Sequence, residues 1–534
     1  MGEAQFSLAL VDYAIIAAYF IGVLALGLYH SKTRGDESDD YFLAGRNLGW
    51  FVIGFSLYAS NMSGSSFVGL MGGAYANGIA IYNYEWTAAI VLIAFAIFIL
   101  PSYLRARIAT TPEFLELRYD VRSRRAYSLF TILAVMLIDV AGALYAGGLV
   151  IANTFSFLNI WTAVAVLALI AGVYTVLGGL AAVVVTDTVQ SILLIAGGLV
   201  IFVLGMQEIG GWDAIWTDLE PSKTSLILPM ENDFTPWHGL WGVTLLSFYL
   251  WTMNQFVAQR TLAAKDLKNG QIGALFAGFL KLPNIFIMII PGLIALKLYP
   301  DLETPDLAFP KLAFELMPIG IRGLVMAALI AAIMSSVDSA ATALSSLVVK
   351  DFVEPAKPDW SDSRLVAIGQ IATGCFLIFA ALYAPLIGSF ESLFGYFQSS
   401  LSYIVPTIVA TYMVGLSISW SNGNGAFWTI VGGLVIGIPI FILKEVFSVW
   451  EAVGLPPIHY TVMGTALFFI GIATNLGISA MTRQPDKEGV DKLVWSAEEA
   501  KKTFGSFQKP YYFDPLLWAL LLGIATIGFL VWFW

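Results

Sequence analysis

Long apolar stretches recur along almost the whole chain, and they restrict its fold more than any other feature of the sequence. A helix needs about 20 apolar residues to cross a bilayer, and fourteen stretches of the 534-residue chain predict such spans. They cover residues 8–29, 49–71, 79–100, 126–155, 159–176, 182–207, 237–258, 271–296, 318–345, 365–384, 388–418, 424–444, 460–478 and 513–534. Only 12% of the residues are charged, compared with about 25% in soluble domains. The sequence therefore predicts an all-α integral membrane protein with about 14 transmembrane helices, in which residues 1–534 form a single transmembrane domain.

The polar residues exclude several classes of protein. The net charge is −10, so the chain lacks the clustered positive charge that binding to nucleic acid requires. Its three histidines lie at span ends and no GxxxxGK[ST] motif is present, which argues against haem-based electron transfer and ATP-driven chemistry. The single cysteine, Cys375, can form neither an intrachain disulfide nor a cysteine-based metal site. We therefore expect neither an enzyme nor a nucleic-acid-binding protein.

Lysine and arginine predict the orientation in the membrane, because cytoplasmic loops carry an excess of both. Most of the 27 basic residues fall in alternate loops when the N-terminus is placed outside. An even number of spans then puts both termini on the outer, periplasmic side. We expect a multi-pass plasma-membrane protein in the inner membrane of a bacterium.

Five ionisable residues lie deep inside predicted spans, where a charge costs several kcal/mol and usually faces a polar pathway. They are Glu85, Asp139, Asp187, Lys281 and Asp338. Four acids against one base leave a deficit of positive charge, which a bound cation or protonation of an acid would offset. The alternative is that some helix ends lie elsewhere, so that part of this set, Asp187 in particular, reaches the membrane interface.

Two polar segments interrupt apolar spans and are predicted to break their helices. Tyr58–Ser66 is rich in Ser, Asn and Gly, and Ser335–Ser346 is a second concentration of hydroxyl groups. Short polar side chains compete with helical hydrogen bonding, and unwound backbone inside a membrane protein usually lines a cavity. The alternative for each segment is close helix packing through small residues. Together with the excess of acids, the two segments favour an ion-coupled transporter.

Seven strings then carry a resemblance to a known family. They are DYFLAGRNLGW before the second span, NYEW at 83–86, TTPEFLELRY at 110–119, YTVLGGLAAVVVTDTVQ at 174–190, NQFVAQRTLAAK at 254–265, AGFLKL at 277–282 and AALIAAIMSS at 327–336. In these strings the chain resembles the solute–sodium symporter family, within its sodium–glucose cotransporter branch. The resemblance extends over nearly the whole length.

The resemblance implies a LeuT-type fold, in which two five-helix repeats of inverted topology enclose a site at mid-membrane between broken helices. The first repeat would cover 49–207 and the second 237–418. An extra helix at 8–29 would precede them, and three more would follow within 424–534. The implied activity is sodium-coupled import by alternating access.

The resemblance also implies a sodium site made of main-chain carbonyls and hydroxyls. The carbonyls of Ala59, Met62 and Ala332 and the hydroxyls of Ser335 and Ser336 match the ligands of the family. Na⁺ is thus the cofactor that we expect, with no other metal.

The implied solute site transfers to this chain only in part. Six residues belong to it: Glu85, Lys281, Gln398, Ser66, Ser247 and Trp251. Ser66 and Ser247 are shorter than the Gln and Asn of the galactose-transporting relatives, and Leu250 stands where an inner-gate Tyr is found. We expect a small neutral sugar or sugar-like polyol, and the shortened side chains leave its identity open.

Asp338 departs from many relatives, which carry no charge at this position. With Ser339 beside it and Asp187 nearby, it predicts a possible second cation site. The alternative is a structural carboxylate that pairs with a residue at the cytoplasmic end.

Two other functions stay open at this point. The first is sodium- or proton-coupled transport of another solute, such as an amino acid, a vitamin or a carboxylate such as sialic acid. A carboxylate would favour an arginine at the site, whereas Glu85 would repel it. The second is a sensor that binds solute without moving it. The expected partners are the solute, sodium and the lipid bilayer, and the sequence does not predict an oligomeric state.

Overall fold

The computed structural model describes residues 8–31, 46–62, 64–155, 158–232, 234–390, 392–482, 490, 493–495 and 511–533, with backbone alone at 20, 23–31, 173–191, 256, 451 and 511. Its regular elements are helical, apart from two isolated bridges. The α-helices are α1 (Leu10–Ser31), α2 (Trp50–Asn61), α3 (Gly64–Asn77), α4 (Asn83–Ala94), α5 (Leu100–Ala106), α6 (Thr111–Arg118), α7 (Val121–Ala134), α8 (Ala141–Thr154), α9 (Ile160–Ile209), α10 (Trp212–Trp216), α11 (Pro221–Thr224), α12 (Leu240–Phe248), α13 (Gln255–Leu262), α14 (Leu267–Lys281), α15 (Ile290–Leu298), α16 (Ala308–Leu316), α17 (Ile321–Leu347), α18 (Glu354–Ala356), α19 (Asp362–Tyr383), α20 (Leu393–Ser402), α21 (Val405–Ser417), α22 (Gly423–Phe441), α23 (Val449–Ala452), α24 (Tyr460–Met481) and α25 (Pro515–Phe533). Short π-helical segments, such as Val135–Val140 and Tyr249–Met253, join several of them.

The structure confirms an all-helical, multi-pass membrane protein. Within the described residues, nine helical stretches are long and apolar enough to cross a bilayer, or ten if the bent pair α20 and α21 is one span. The total of fourteen spans, and the division into two five-helix repeats, stay predictions.

One pair of predicted spans differs from the structure. The stretches 159–176 and 182–207 are predicted as two spans, whereas helical backbone continues through both as α9, which is 50 residues long. The two glycines at 178 and 179 cost a helix about 1 kcal/mol each. Neither a proline nor a polar capping residue stands there to end the helix. The apolar stretches with described side chains, 160–172 and 192–209, are separate, so the division into two spans stays a prediction.

The predicted break in the second span is confirmed. α2 ends at Asn61, Met62 leaves the helical region with φ −90° and ψ 67°, and α3 begins at Gly64. Next to the break, the Ser60 hydroxyl donates to the Ser56 carbonyl and the Ser66 hydroxyl donates to the Asn61 carbonyl. Hydroxyl groups from both sides of the interruption thus bond to backbone carbonyls of α2, as the composition of the segment predicts.

The second predicted break is wrong, because α17 runs without interruption through Ser335–Ser346. Alanines are frequent in this helix, and alanine has the highest helix propensity of all residues, so the hydroxyl groups do not unwind it.

A second break lies instead at Asn254, between the π-helical segment Tyr249–Met253 and α13, where ψ is 120°. The carbonyls freed there find donors from distant parts of the chain. The Met253 carbonyl accepts from the hydroxyls of Thr111 and Tyr127, at 2.7 and 2.8 Å. The Thr252 carbonyl accepts from the Tyr103 hydroxyl at 3.2 Å.

Candidate functional site

The two broken helices enclose a cavity of about 130 Å³ together with α4, α14 and α20. All six residues predicted for solute binding line it, although they are spread over more than half of the chain: Ser66, Glu85, Ser247, Trp251, Lys281 and Gln398. Apolar and aromatic side chains form the rest of the wall, among them Leu70, Leu246, Leu250, Phe394 and Phe397. A mostly apolar cavity with a few convergent polar groups is typical of a small-molecule site.

A buried ion pair forms the charged side of the cavity. Lys281 Nζ lies 2.6 Å from Glu85 Oε2, and both side chains are buried, with exposed fractions of 1% and 6%. The ammonium group also donates to Asn61 Oδ1 at the first break and lies 5.6 Å from the centroid of the Trp251 ring. The pair therefore leaves this side without net charge and ties the first break to α4 and α14.

A hydrogen-bonded chain supports the carboxylate of this pair. Asn284 Nδ2 donates to Glu85 Oε2, and the Tyr58 hydroxyl donates to Asn284 Oδ1 at 2.7 Å. The sequence analysis did not assign Asn284 or Tyr58, although Asn284 follows Lys281 by three residues. That spacing places the two side chains on neighbouring positions of one helical face and could have indicated Asn284.

Among the remaining polar groups of the cavity wall, two already form hydrogen bonds with other residues and one does not. Ser66 donates to the Asn61 carbonyl, and the Ser247 hydroxyl lies 2.9 Å from that of Thr87. The side-chain amide of Gln398, by contrast, makes no hydrogen bond within the described part of the chain. It faces the cavity as both a donor and an acceptor.

Asp139 also lines the cavity, where the sequence analysis noted its charge but assigned it no role. Its Oδ2 is 3.5 Å from Asn254 Nδ2, at the second break. The carboxylate therefore connects the cavity wall to the unwound residue of the second broken helix.

The residues predicted for sodium lie on the first break and on the helix packed against it. Ala59 and Met62 flank the end of α2, and Ala332, Ser335 and Ser336 are buried on α17. The Ser336 hydroxyl lines the cavity and has no hydrogen-bond partner among the residues described. A buried hydroxyl of this kind beside unwound carbonyls fits a sodium ion, and the assignment of the five ligands stays a prediction.

Gly64 determines how closely the first break approaches α17, and replacing it by alanine tests that contact. A Cβ at Gly64 would collide with the side chain of Ile333, and overpacking of this kind costs about 1–3 kcal/mol. We expect Gly64→Ala to lower the melting temperature of the purified protein and to weaken sodium dependence.

The control for Gly64→Ala is Gly374→Ala, because a Cβ at this helical position meets no atom within 4 Å. The added variant Ile333→Ala makes room for the new methyl group, so the two substitutions together should lower the melting temperature by less than the sum of their separate effects. A Gly64→Ala protein as stable as the parent would contradict the close approach.

The residues of the possible second cation site meet Arg260, which lies just beyond the predicted span 237–258. Asp338 and Ser339 are fully buried on α17, and Arg260 is equally buried. The Arg260 guanidinium donates to the Ser339 hydroxyl and, at 3.2 Å, to the Ser56 hydroxyl. The side chain of Asp187 lies outside the described residues. A positive charge supplied by the protein is thus present at this cluster.

Comparison with known proteins gives concordant results. The model described as "Sodium:solute symporter family" matches residues 41–433. The chain is 29% identical to sodium/glucose cotransporter 4 of Danio rerio, over 95% of this chain and 84% of the relative. It is 31% identical to sodium/myo-inositol cotransporter 2 of Homo sapiens, over 91% of this chain and 78% of the relative.

Among solved structures, the fold is similar to that of a Na⁺-coupled sialic acid symporter in a substrate-bound, outward-open state. The TM-score is 0.76 at 22% identity, over 90% of this chain and 99% of the other. The nucleobase-cation-symport-1 family transporter Mhp1 gives a TM-score of 0.51 at 14% identity, over 86% of this chain and 97% of the other. At these identities the likeness establishes the fold alone.

Proposed function

Because the chain belongs to the sodium:solute symporter family, we propose that the solute it carries with sodium is a small neutral sugar or polyol. Members of this family are sodium-coupled secondary transporters, so the protein moves its solute without covalent chemistry. Relatives that match over most of their length are sodium/glucose and sodium/myo-inositol cotransporters, which supports a polyhydroxylated solute.

The observation that carries this proposal is the Glu85–Lys281 ion pair on the cavity wall. Hydroxyl groups of a neutral solute can donate to the carboxylate and accept from the ammonium group. Such hydrogen bonds to charged groups contribute about 1.5–3 kcal/mol each. A carboxylated solute would meet Glu85 and Asp139, and the only base on the described wall, Lys281, is already paired.

The size of the cavity supports a solute with a single ring. An engineered protein cavity of about 150 Å³ holds one benzene molecule, and the cavity here is about 130 Å³. Trp251 offers a ring face against which a sugar ring can pack. The Gln398 amide and the Asp139 carboxylate complete the polar groups around it.

Coupling follows from the position of the predicted sodium ligands. An ion held by the carbonyls of Ala59 and Met62 and by α17 would fix the first break, from which Asn61 accepts the hydrogen bond of Lys281. Sodium would thereby order the solute site and favour the conformation in which both are bound. At about 100 mV, each sodium ion contributes about 2.3 kcal/mol, enough for roughly fiftyfold accumulation of the solute.

We further propose that the protein resides in a bacterial inner membrane with both termini on the periplasmic side. For Asp338 and Ser339, the guanidinium of Arg260 at Ser339 supports a structural role rather than a second cation site; the side chain of Asp187 lies outside the described residues.

Uptake into proteoliposomes tests the proposed function. Labelled glucose, galactose, mannose, fucose and myo-inositol are compared with proline and N-acetylneuraminate, each with a sodium gradient and with a potassium gradient. We expect sodium-dependent uptake of at least one neutral polyol and none of the carboxylates. Uptake of a carboxylate alone would overturn the choice of solute, and uptake indifferent to sodium would overturn the coupling. Binding without uptake would indicate a sensor.

A further inference from the structure

Residues 299–309 lie across the arm of the first broken helix that the proposed topology places on the outer side of the membrane. This outer strap is held by Tyr75 of α3. The Tyr75 hydroxyl donates to the Pro300 carbonyl at 2.7 Å and accepts from the Leu302 amide at 3.2 Å. The rings of Phe67 and Phe309 pack edge to face, with centroids 5.7 Å apart. The strap is therefore docked on α3 at two points.

Asp306 connects the outer strap to a second helix. Its side chain is 4% exposed, and its Oδ2 accepts from the amide of Leu393, the first residue of α20, at 3.1 Å. On the other side, a Cβ at Gly72 would lie 2.9 Å from Asp306 Oδ1 and from the Pro305 carbonyl. Asp306 thus fits tightly between α3 and α20.

These two helices also line the solute cavity. Gly69 and Leu70 of α3 lie within one turn of Gly72, and Phe394 of α20 follows Leu393 directly. The contact made by Asp306 therefore holds together the outer ends of two walls of the cavity.

The Asp306 carboxylate is buried without a compensating charge among the residues described. Its Oδ1 has no hydrogen-bond partner there. The phenol of Tyr145 on α8 is a described titratable group that interacts electrostatically with it. Burial raises the pKa of Asp306 to about 6, against the opposing hydrogen bond from the Leu393 amide. An exposed aspartate has a pKa of about 3.9, so docking of the strap is coupled to uptake of a proton.

We propose that Asp306 is a positioning residue that holds the outer side of the solute cavity closed, and that closure strengthens as the external pH falls from about 7 to about 5. The inference rests on the proposed function, because closure of the outer side is one step of the transport cycle. Above this range the buried carboxylate is charged and opposes docking. Below it the neutral acid is accommodated between α3 and α20.

Chemical labelling of the cavity tests this inference without any solute or sodium, so it stands apart from the choice of transported solute. Leu70→Cys reports on the cavity in a Cys375→Ser background, and Glu303→Cys, exposed on the same strap, is measured separately as the reference. Both cysteines are labelled with a polar thiol reagent, and the rate at Leu70→Cys is divided by the rate at Glu303→Cys. Because both thiols ionise as the pH rises, this ratio removes most of the pH dependence of the thiol chemistry. Because a single carboxylate titrates, each pH unit can change the ratio of closed to open protein by at most about tenfold.

We expect the ratio to fall about five- to tenfold between pH 7 and pH 5 in the parent and to stay constant in Asp306→Asn. Asparagine can still accept from the Leu393 amide but cannot titrate. The matched control Asp301→Asn, an exposed carboxylate on the same strap, should keep the full pH dependence. A constant ratio in the parent, or an unchanged profile in Asp306→Asn, would overturn the proposal.

A second variant keeps the test decisive if Asp306→Asn does not fold. Gly72→Ala retains the carboxylate but crowds Oδ1, so we expect a several-fold higher labelling ratio at pH 5 than in the parent. A ratio equal to that of the parent would show that the contact does not close the cavity.

Discussion

Sodium-driven uptake is expected to fall by at least a hundredfold when Lys281 is replaced by methionine. The substitution keeps a long apolar side chain but leaves the Glu85 carboxylate buried without its partner at 2.6 Å. Removing one member of a buried ion pair costs about 3–5 kcal/mol. The hydrogen bond to Asn61 at the first break is lost as well, so sodium and solute sites are both affected. Initial uptake rates and the melting temperature of purified protein measure the two effects.

Two further variants separate solute binding from folding in this experiment. Lys268→Met changes a half-buried lysine in the first turn of the same helix and should leave uptake within a factor of two. The double variant Glu85→Gln with Lys281→Met removes both charges and should recover most of the stability. If the double variant also recovered uptake, the pair would be structural and the proposed solute site would be wrong.

The two broken helices show which parts of the fold can be predicted from sequence. The first break is encoded locally, because Ser60 and Ser66 bond to nearby backbone carbonyls. The second break has no such signal in YLWTMN, since its freed carbonyls accept from Tyr103, Thr111 and Tyr127, more than 120 residues away. The hydroxyl groups of α17 gave a false signal, because helix propensity prevailed there.

The candidate site shows the same division between local and distant information. Glu85 and Lys281 stand out as charges within apolar sequence, and their pairing follows from the cost of leaving either one alone. The seventh predicted span ends at 258, so the sequence predicts that Arg260 lies in a loop. In the structure it is fully buried and reaches Ser56 and Ser339. Spacing along one chain cannot reveal a contact between three different helices.

Replacing Ser336 by alanine is expected to raise the sodium concentration for half-maximal uptake by about ten- to one-hundredfold. The estimate corresponds to one lost interaction with a charged ligand, about 1.5–3 kcal/mol. The Ser336 hydroxyl is buried, faces the cavity and has no hydrogen-bond partner in the described part of the chain. Its removal therefore breaks no described hydrogen bond, and the measured change reports on the ion.

Ser345→Ala is the matched control, because Ser345 is on the same helix, is also buried and also lacks a described hydrogen-bond partner. Since Ser345 does not line the cavity, we expect uptake by the Ser345→Ala variant to depend on sodium as it does in the parent.

Ser336 could instead bind the solute directly, and measurements at saturating sodium distinguish the two roles. A lost sodium ligand is offset by more sodium, so the half-saturating solute concentration should return to the parent value. A solute affinity that stays low at saturating sodium would assign Ser336 to the solute site and remove it from the sodium site.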